Sequence, residues 1–142
     1  MQAAGAVTAL TSCDNTHDTV TPETNGRDAS ADMPLGIIKH VSDPDTDLAH
    51  VRGLGFSTCQ LSVTDYSHEF ARKVADGLKK HEVSPTCLIC MGPGNYVWNF
   101  YDGPLTIGLV PRENRDARVQ RLKEGTAFCK AAGIHSILAH FG

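Results

Sequence analysis

Two histidines close short apolar runs: His40 follows residues 35–39, and His140 follows residues 134–139. An imidazole just past the end of a strand can ligate a metal ion or hydrogen-bond a ligand hydroxyl, because its neutral ring offers one donor and one acceptor nitrogen. Gln60 and Ser62 lie two apart in a third apolar run, so they share one face of a strand and either reach its end or point inward. Residues 92–111 are rich in Gly and Pro and hold Tyr96, Trp98, Phe100 and Tyr101, four of the nine aromatic residues in the chain. Aromatic faces on a turn-rich loop stack on the apolar face of a sugar ring or close over a pocket; they can equally pack onto the body as a plug. The resulting substrate-binding set is His140, Trp98, His40 and Gln60, with no catalytic acid or base assigned. His17, His50, His68 and His81 fall in polar or helical contexts and are expected to be solvated.

Cys87 and Cys90 have the Cys-x-x-Cys spacing of metal and redox sites. In an extended strand, side chains three apart point to opposite faces, so the two sulfurs do not readily share an ion. No helix start follows them, as a redox pair would need. Cys59 and Cys87 lie in apolar strands and Cys129 on a helix, which fits buried structural thiols rather than a disulfide framework.

These residues need elements to hold them. Residues 35–41 read as a first strand, followed by Ser42-Asp43-Pro44, a helix cap with proline at the first helical position. Asp45 and Asp47 then favour the helix dipole, Leu48 and Val51 face inward, and Gly53 and Gly55 end the helix. Residues 56–63 form the second strand. Ser67 caps a helix with Phe70, Val74 and Leu78 at steps of four, running out near His81, and residues 86–91 form the third strand. After the loop at 92–111, Pro111 opens a third helix whose inward stripe includes Val119, Leu122 and Phe128. Gly133 ends it before a fourth strand at 134–139. This alternation without hairpin signals predicts a parallel α/β sheet with right-handed crossovers. A doubly wound sheet and a (β/α) barrel both fit the order. The fourth strand has no helix after it to cover a finished open sheet, which favours part of a barrel.

The 142 residues and 41% hydrophobic content suit one domain with one core. Residues before Pro34 carry a net charge of −4 and the rest +1, so the body offers no electrostatic case for nucleic acid or an anionic membrane. Residues 15–32 are polar and hold Pro22 and Gly26, the composition of a flexible linker. Ahead of them a short apolar run ends in Leu10-Thr11-Ser12-Cys13, which resembles a bacterial lipobox, although no positive charge precedes Arg27. Two outcomes stay open: a cytoplasmic protein with a disordered leader, or an exported, periplasmic lipoprotein whose membrane contact is a lipid anchor at Cys13. The domain division expected is 1–34 for leader and linker and 35–142 for the folded body.

The stretch Gly55-Phe56-Ser57-Thr58-Cys59-Gln60-Leu61-Ser62-Val63, with Val97-Trp98-Asn99-Phe100-Tyr101-Asp102-Gly103-Pro104 and Thr106-Ile107-Gly108-Leu109-Val110-Pro111, resembles the xylose isomerase-like TIM barrel superfamily. Within it, the sugar phosphate isomerase/epimerase branch is the match, over residues 35–142. The resemblance implies a partial TIM barrel: the N-terminal half of a (β/α)8 barrel, of about four strands and three helices. It also implies a divalent metal (Mn, Mg, Co or Zn) in the full-length parent. That metal is held by carboxylates and a histidine from later strands, and acidic side chains move a proton next to a carbonyl. The expected function is that of an N-terminal fragment of such an enzyme, inactive alone and holding no metal itself, with a small carbohydrate as substrate. Related zinc endonucleases carry a ligand histidine at the end of strand four, which makes His140 the first candidate and a possible metal ligand.

Two alternatives accompany this reading. A half-barrel with unpaired edges is expected to associate with itself and could be a non-enzymatic interaction module. A zinc-dependent abasic-site endonuclease would use Arg112, Arg115, Arg118, Arg121 and Lys123 as a phosphate track. Steps of three drift around a helix, however, and barrel helices turn their charges to solvent.

Overall fold

The computed structural model describes residues 34–141; the lipobox, Cys13, His17 and the linker lie outside the described residues. The elements in chain order are β1 (Gly36–His40), α1 (Pro44–Gly53), β2 (Thr58–Ser62), α2 (His68–Lys80), β3 (Ser84–Ile89), α3 (Gly103–Thr106), α4 (Arg112–Ala132) and β4 (Ile137–Leu138). All three strand pairings are parallel, and the order across the sheet is β1-β2-β3-β4. A doubly wound sheet reverses direction after its first strands, whereas a barrel adds each new strand beside the last. The order here is that of a partial barrel.

Helices α1, α2 and α4 form one layer on one face of the sheet. Val41, Leu48, Cys59, Leu61, Val74, Leu88 and Phe128 make the core between the two layers. On the other face Ile38 is exposed. No described helix is long and apolar enough to cross a membrane.

Local chemistry fixes the turns. Asp43 caps α1, accepting from the N–H groups of Asp45 and Thr46, with Pro44 behind it in the first turn. Asp47 reaches back from that turn and accepts from the Ser42 N–H at 2.8 Å and the Asp43 N–H at 3.0 Å. The same carboxylate pairs with Lys39 Nζ at 2.7 Å. One side chain thus ties the end of β1 to the start of α1 and sets the direction in which the chain leaves His40. Ser67 Oγ accepts from the Phe70 N–H at the start of α2. Gly133, at φ 71, closes α4 in the left-handed conformation that glycine adopts without strain.

Four details differ from the expectations set by the sequence. The fourth strand is two residues long rather than 134–139, because Ile134 donates its N–H to Cys129 O at 2.9 Å and is buried as part of the α4 cap. The third strand runs from Ser84 rather than Thr86, since the Ser84 N–H donates to Ser57 O at 2.8 Å and the irregular register beside Cys59 takes up Thr86. The loop after β3 contains the one-turn helix α3, which makes four helices rather than three among the described residues. His81 is not solvated: its ring pairs with Asp45, which also binds Lys80 at 2.8 Å, joining the two ends of α1 and α2.

Burial raises the pKa of the Asp47 carboxyl, but Lys39 and the two backbone N–H groups outweigh it and bring the value from 3.8 down to about 2. Its folded-state pKa is depressed, so its stabilisation is complete above the unfolded value and is lost as the pH falls from about 4 towards about 2. Asp47→Asn should therefore cost about 2 kcal/mol in urea unfolding at neutral pH and flatten the acid limb of the stability curve. An unchanged acid limb in the variant would remove Asp47 from this role.

Candidate functional site

His40 and Ser62 occupy matching places at the carboxyl ends of β1 and β2 and are partners in the parallel register. His40 Nδ1 stands 3.1 Å from Ser62 Oγ. They open onto a cleft of about 440 Å³ bounded by Thr64 and Tyr66 from the β2–α2 loop, by Met91 after β3, and by Arg121 from α4. The Arg121 guanidinium lies over the Tyr66 ring at 4.6 Å. Tyr66 is held edge-on against Phe128 at 5.8 Å, so the cation sits on a ring anchored in the core.

A second group of residues forms the adjoining rim. The loop after β3 winds around Arg118, which is 2% exposed. Arg118 Nε donates to Pro93 O at 2.9 Å, and Nη1 donates to Thr106 O at 2.9 Å and Gly108 O at 2.6 Å. The Tyr96 ring covers the guanidinium at 4.5 Å, and the Tyr96 hydroxyl donates back to the loop start, 2.7 Å from Gly92 O. Burial raises the pKa of that hydroxyl, which stays protonated. Gly92, at φ +80, passes so close that a Cβ there would stand 2.8 Å from Arg118 Cγ. Arg115 donates to Leu109 O at 2.7 Å and Val110 O at 3.2 Å.

On this base Trp98 stacks against Tyr96 at 6.3 Å with a 20° interplanar angle, and its other neighbour is the His140 ring, edge-on at 5.2 Å. Trp98 remains 65% exposed, so an open aromatic face borders the imidazole. The Leu109 N–H donates to Phe141 O at 3.1 Å, which ties the chain after β4 to the loop.

The four sequence candidates therefore fall in three places. His40 lines the cleft, and Trp98 and His140 form the rim. Gln60 lies lower on the open face of the sheet, beside Ile38, Thr58 and Thr86 and away from the cleft. Ser62 is the β2 residue that reaches the mouth. The loop aromatics divide: Tyr96 packs inward, while Phe100 and Tyr101 stand out in solvent.

Helix α4 is the largest departure. Its buried stripe is Arg118, Gly125, Phe128, Cys129 and Ala132, with Val119 and Leu122 only half-buried. Arg118 is buried on loop carbonyls, Arg115 is exposed but donates to loop carbonyls, and Arg121 lies over Tyr66, so the three point to different partners rather than forming one track. The heptad-like spacing of Arg118, Gly125 and Ala132 was the available signal, masked because the stripe begins with a charge.

Cys59, Cys87, Cys90 and Cys129 are free and buried, and burial pushes Cys59 and Cys129 up to about 11, which keeps both as thiols. Among the described residues no group of three His, Cys, Asp or Glu side chains converges in a way that would hold a metal ion.

Arg118→Met should lower stability by about 3 kcal/mol or more, because three carbonyls lose a charged donor. Emission from Trp98, the sole tryptophan, should become easier to quench with acrylamide as the loop loosens. Unchanged quenching would mean that the loop holds its shape without the guanidinium.

The folded body is similar to a solved structure, the crystal structure of a xylose isomerase domain protein from Planctomyces limnophilus. The TM-score is 0.67 at 23% sequence identity, and the match covers 77% of this chain and 41% of that one. The chain thus spans under half the length of the protein it matches. No protein-family model matches the sequence, and no curated protein matches it. Together with the sequential strand order, the similarity shows the fold: residues 34–141 have the fold of part of a TIM barrel, like that of the xylose isomerase domain protein.

Proposed function

We propose that this chain supplies one wall of the substrate site of a carbohydrate isomerase or epimerase that works by proton transfer next to a carbonyl. The observation that carries the reading is the Trp98–His140 pair: an open aromatic face meets an imidazole at the carboxyl edge of a parallel barrel sheet. The apolar C–H face of a sugar ring stacks on such a surface, and a neighbouring imidazole then donates to or accepts from a ring hydroxyl. His40 and Ser62 extend the same edge with further groups of this kind.

A divalent ion belongs to this proposal. It would polarise the carbonyl of the sugar, and it would take its carboxylate ligands from strands other than β1–β4. The groups in this wall bind and orient; the acid and base that move the proton are not among those lining it.

Because Trp98 is the chain's sole tryptophan, its fluorescence reports directly on this rim. Titration of the protein with a ketohexose should give a saturable change in emission, and His140→Ala should weaken the apparent affinity by about five- to ten-fold, the cost of one hydrogen bond. Emission that does not respond to ketoses or aldoses at millimolar concentrations would overturn the carbohydrate reading.

A further inference from the structure

We propose that the open cleft among the loop aromatics is a second ring subsite, one that takes an aromatic substituent carried by the sugar. The inference rests on the carbohydrate reading above and narrows it: the ligand would be an uncharged aryl glycoside, with its sugar at the Trp98–His140 rim and its aryl group in the cleft.

The cleft has a volume of about 460 Å³ and is lined by Trp98, Asn99, Phe100, Tyr101 and Ile107. Neither Tyr96 nor His140 lines it, so Trp98 is the residue it shares with the rim, and a ligand that spans both places touches the indole in each. Phe100 is 98% exposed and Tyr101 is 89% exposed, and neither belongs to the core. Three aromatic side chains open to water on one short turn form an apolar patch of the kind that marks a binding surface.

The turn that carries these rings is held without their help. Asn99 Oδ1 accepts from the N–H groups of Tyr101 at 2.9 Å and Asp102 at 2.7 Å, and Asn99 Nδ2 donates to Asp102 Oδ2 at 3.2 Å. The Val97 N–H donates to Thr106 Oγ1 at 3.1 Å, which closes the turn across α3. The platform is therefore set before a ligand arrives, and this lowers the ordering cost of binding.

The same bonds decide what the cleft takes. The Asn99 amide and the Asp102 carboxylate are engaged with the turn, no charged residue lines the cleft, and the Tyr101 hydroxyl is the polar group left at its edge. A second sugar ring finds few partners there for its hydroxyls, whereas a flat apolar ring needs none and stacks on the aromatic faces. An aryl glycoside has no free anomeric carbon, so its sugar ring stays closed. It permits epimerisation beside a ring ketone, in which the proton leaves one face of the carbon and returns to the other, and it excludes aldose–ketose isomerisation.

Isothermal titration calorimetry of the whole chain tests this with four probes: methyl glucopyranoside, phenyl glucopyranoside, a free ketohexose and benzyl alcohol. The phenyl glycoside should bind about ten-fold or more tightly than the methyl glycoside, the gain from burying one face of an aromatic ring, and with little dependence on salt. Phe100→Ala combined with Tyr101→Ala should remove that gain and leave the methyl glycoside and the ketohexose unaffected; both side chains lie outside the core, so the fold is kept. Equal affinity for the two glycosides beside binding of the ketohexose, or a preference that survives the double variant, would overturn the subsite while the carbohydrate reading stands. Light scattering that shows self-association abolished by the double variant, with no aryl preference, would make the cleft a contact between copies and overturn the subsite. Binding of benzyl alcohol that depends on Phe100 and Tyr101, with no sugar bound, would uphold the subsite and overturn the carbohydrate reading. No binding of any probe would overturn both.

Discussion

A buried guanidinium organises the upper part of this molecule. Removing an arginine from water is costly unless its N–H groups find acceptors, and Arg118 finds three backbone carbonyls from a single loop, plus the face of Tyr96. The dependence is mutual. Those carbonyls belong to a segment with little regular structure of its own, so they need a donor as much as the cation needs acceptors. The loop's shape, the place of Tyr96 and, through it, the place of Trp98 all follow from this one cage.

Below it, the fold is a succession of strand and helix units in which each turn is set by a short-range contact. Asp47 is the clearest case. By binding Lys39 and the N–H groups of Ser42 and Asp43, it bends the chain at the end of β1 and leaves His40 beside Ser62. Sheet register then assembles the cleft from residues more than twenty apart in sequence, and the helix layer contributes Arg121 from behind. The mouth is thus made of strand ends with rigid support, and the rim is made of a loop with internal support.

The elements governed by local rules were legible in the sequence. The Asp43-Pro44 start of α1, the Ser67 cap of α2 and the Gly133 stop of α4 each act within a turn of backbone, so residue type alone reveals them. Features that depend on distant partners were not. Residues 134–139 have the composition of a strand, but Ile134 is taken by the helix cap and only Ile137 and Leu138 find partners in β3. Arg118 reads as a surface charge, because its acceptors lie ten to twenty-five residues away in the chain. His81 likewise gains its partner from the start of α1. At the candidate site, the strand-end position of His40 and the aromatic content of the loop could be read in advance. The meeting of Trp98 with His140, the choice of Ser62 over Gln60 at the mouth, and the Tyr66–Arg121 pair required the three-dimensional register.

The hydrogen bond from the Leu109 N–H to Phe141 O joins two parts of the rim that the chain otherwise keeps apart. It lies one residue beyond His140, so the backbone next to the imidazole is anchored to the loop that bears Trp98. The aromatic face and the imidazole beside it are therefore linked twice, by ring contact and by a backbone hydrogen bond. Were a ligand to settle on the aromatic face, it would meet an imidazole already placed beside it, rather than two groups that must each be brought into place at separate entropic cost.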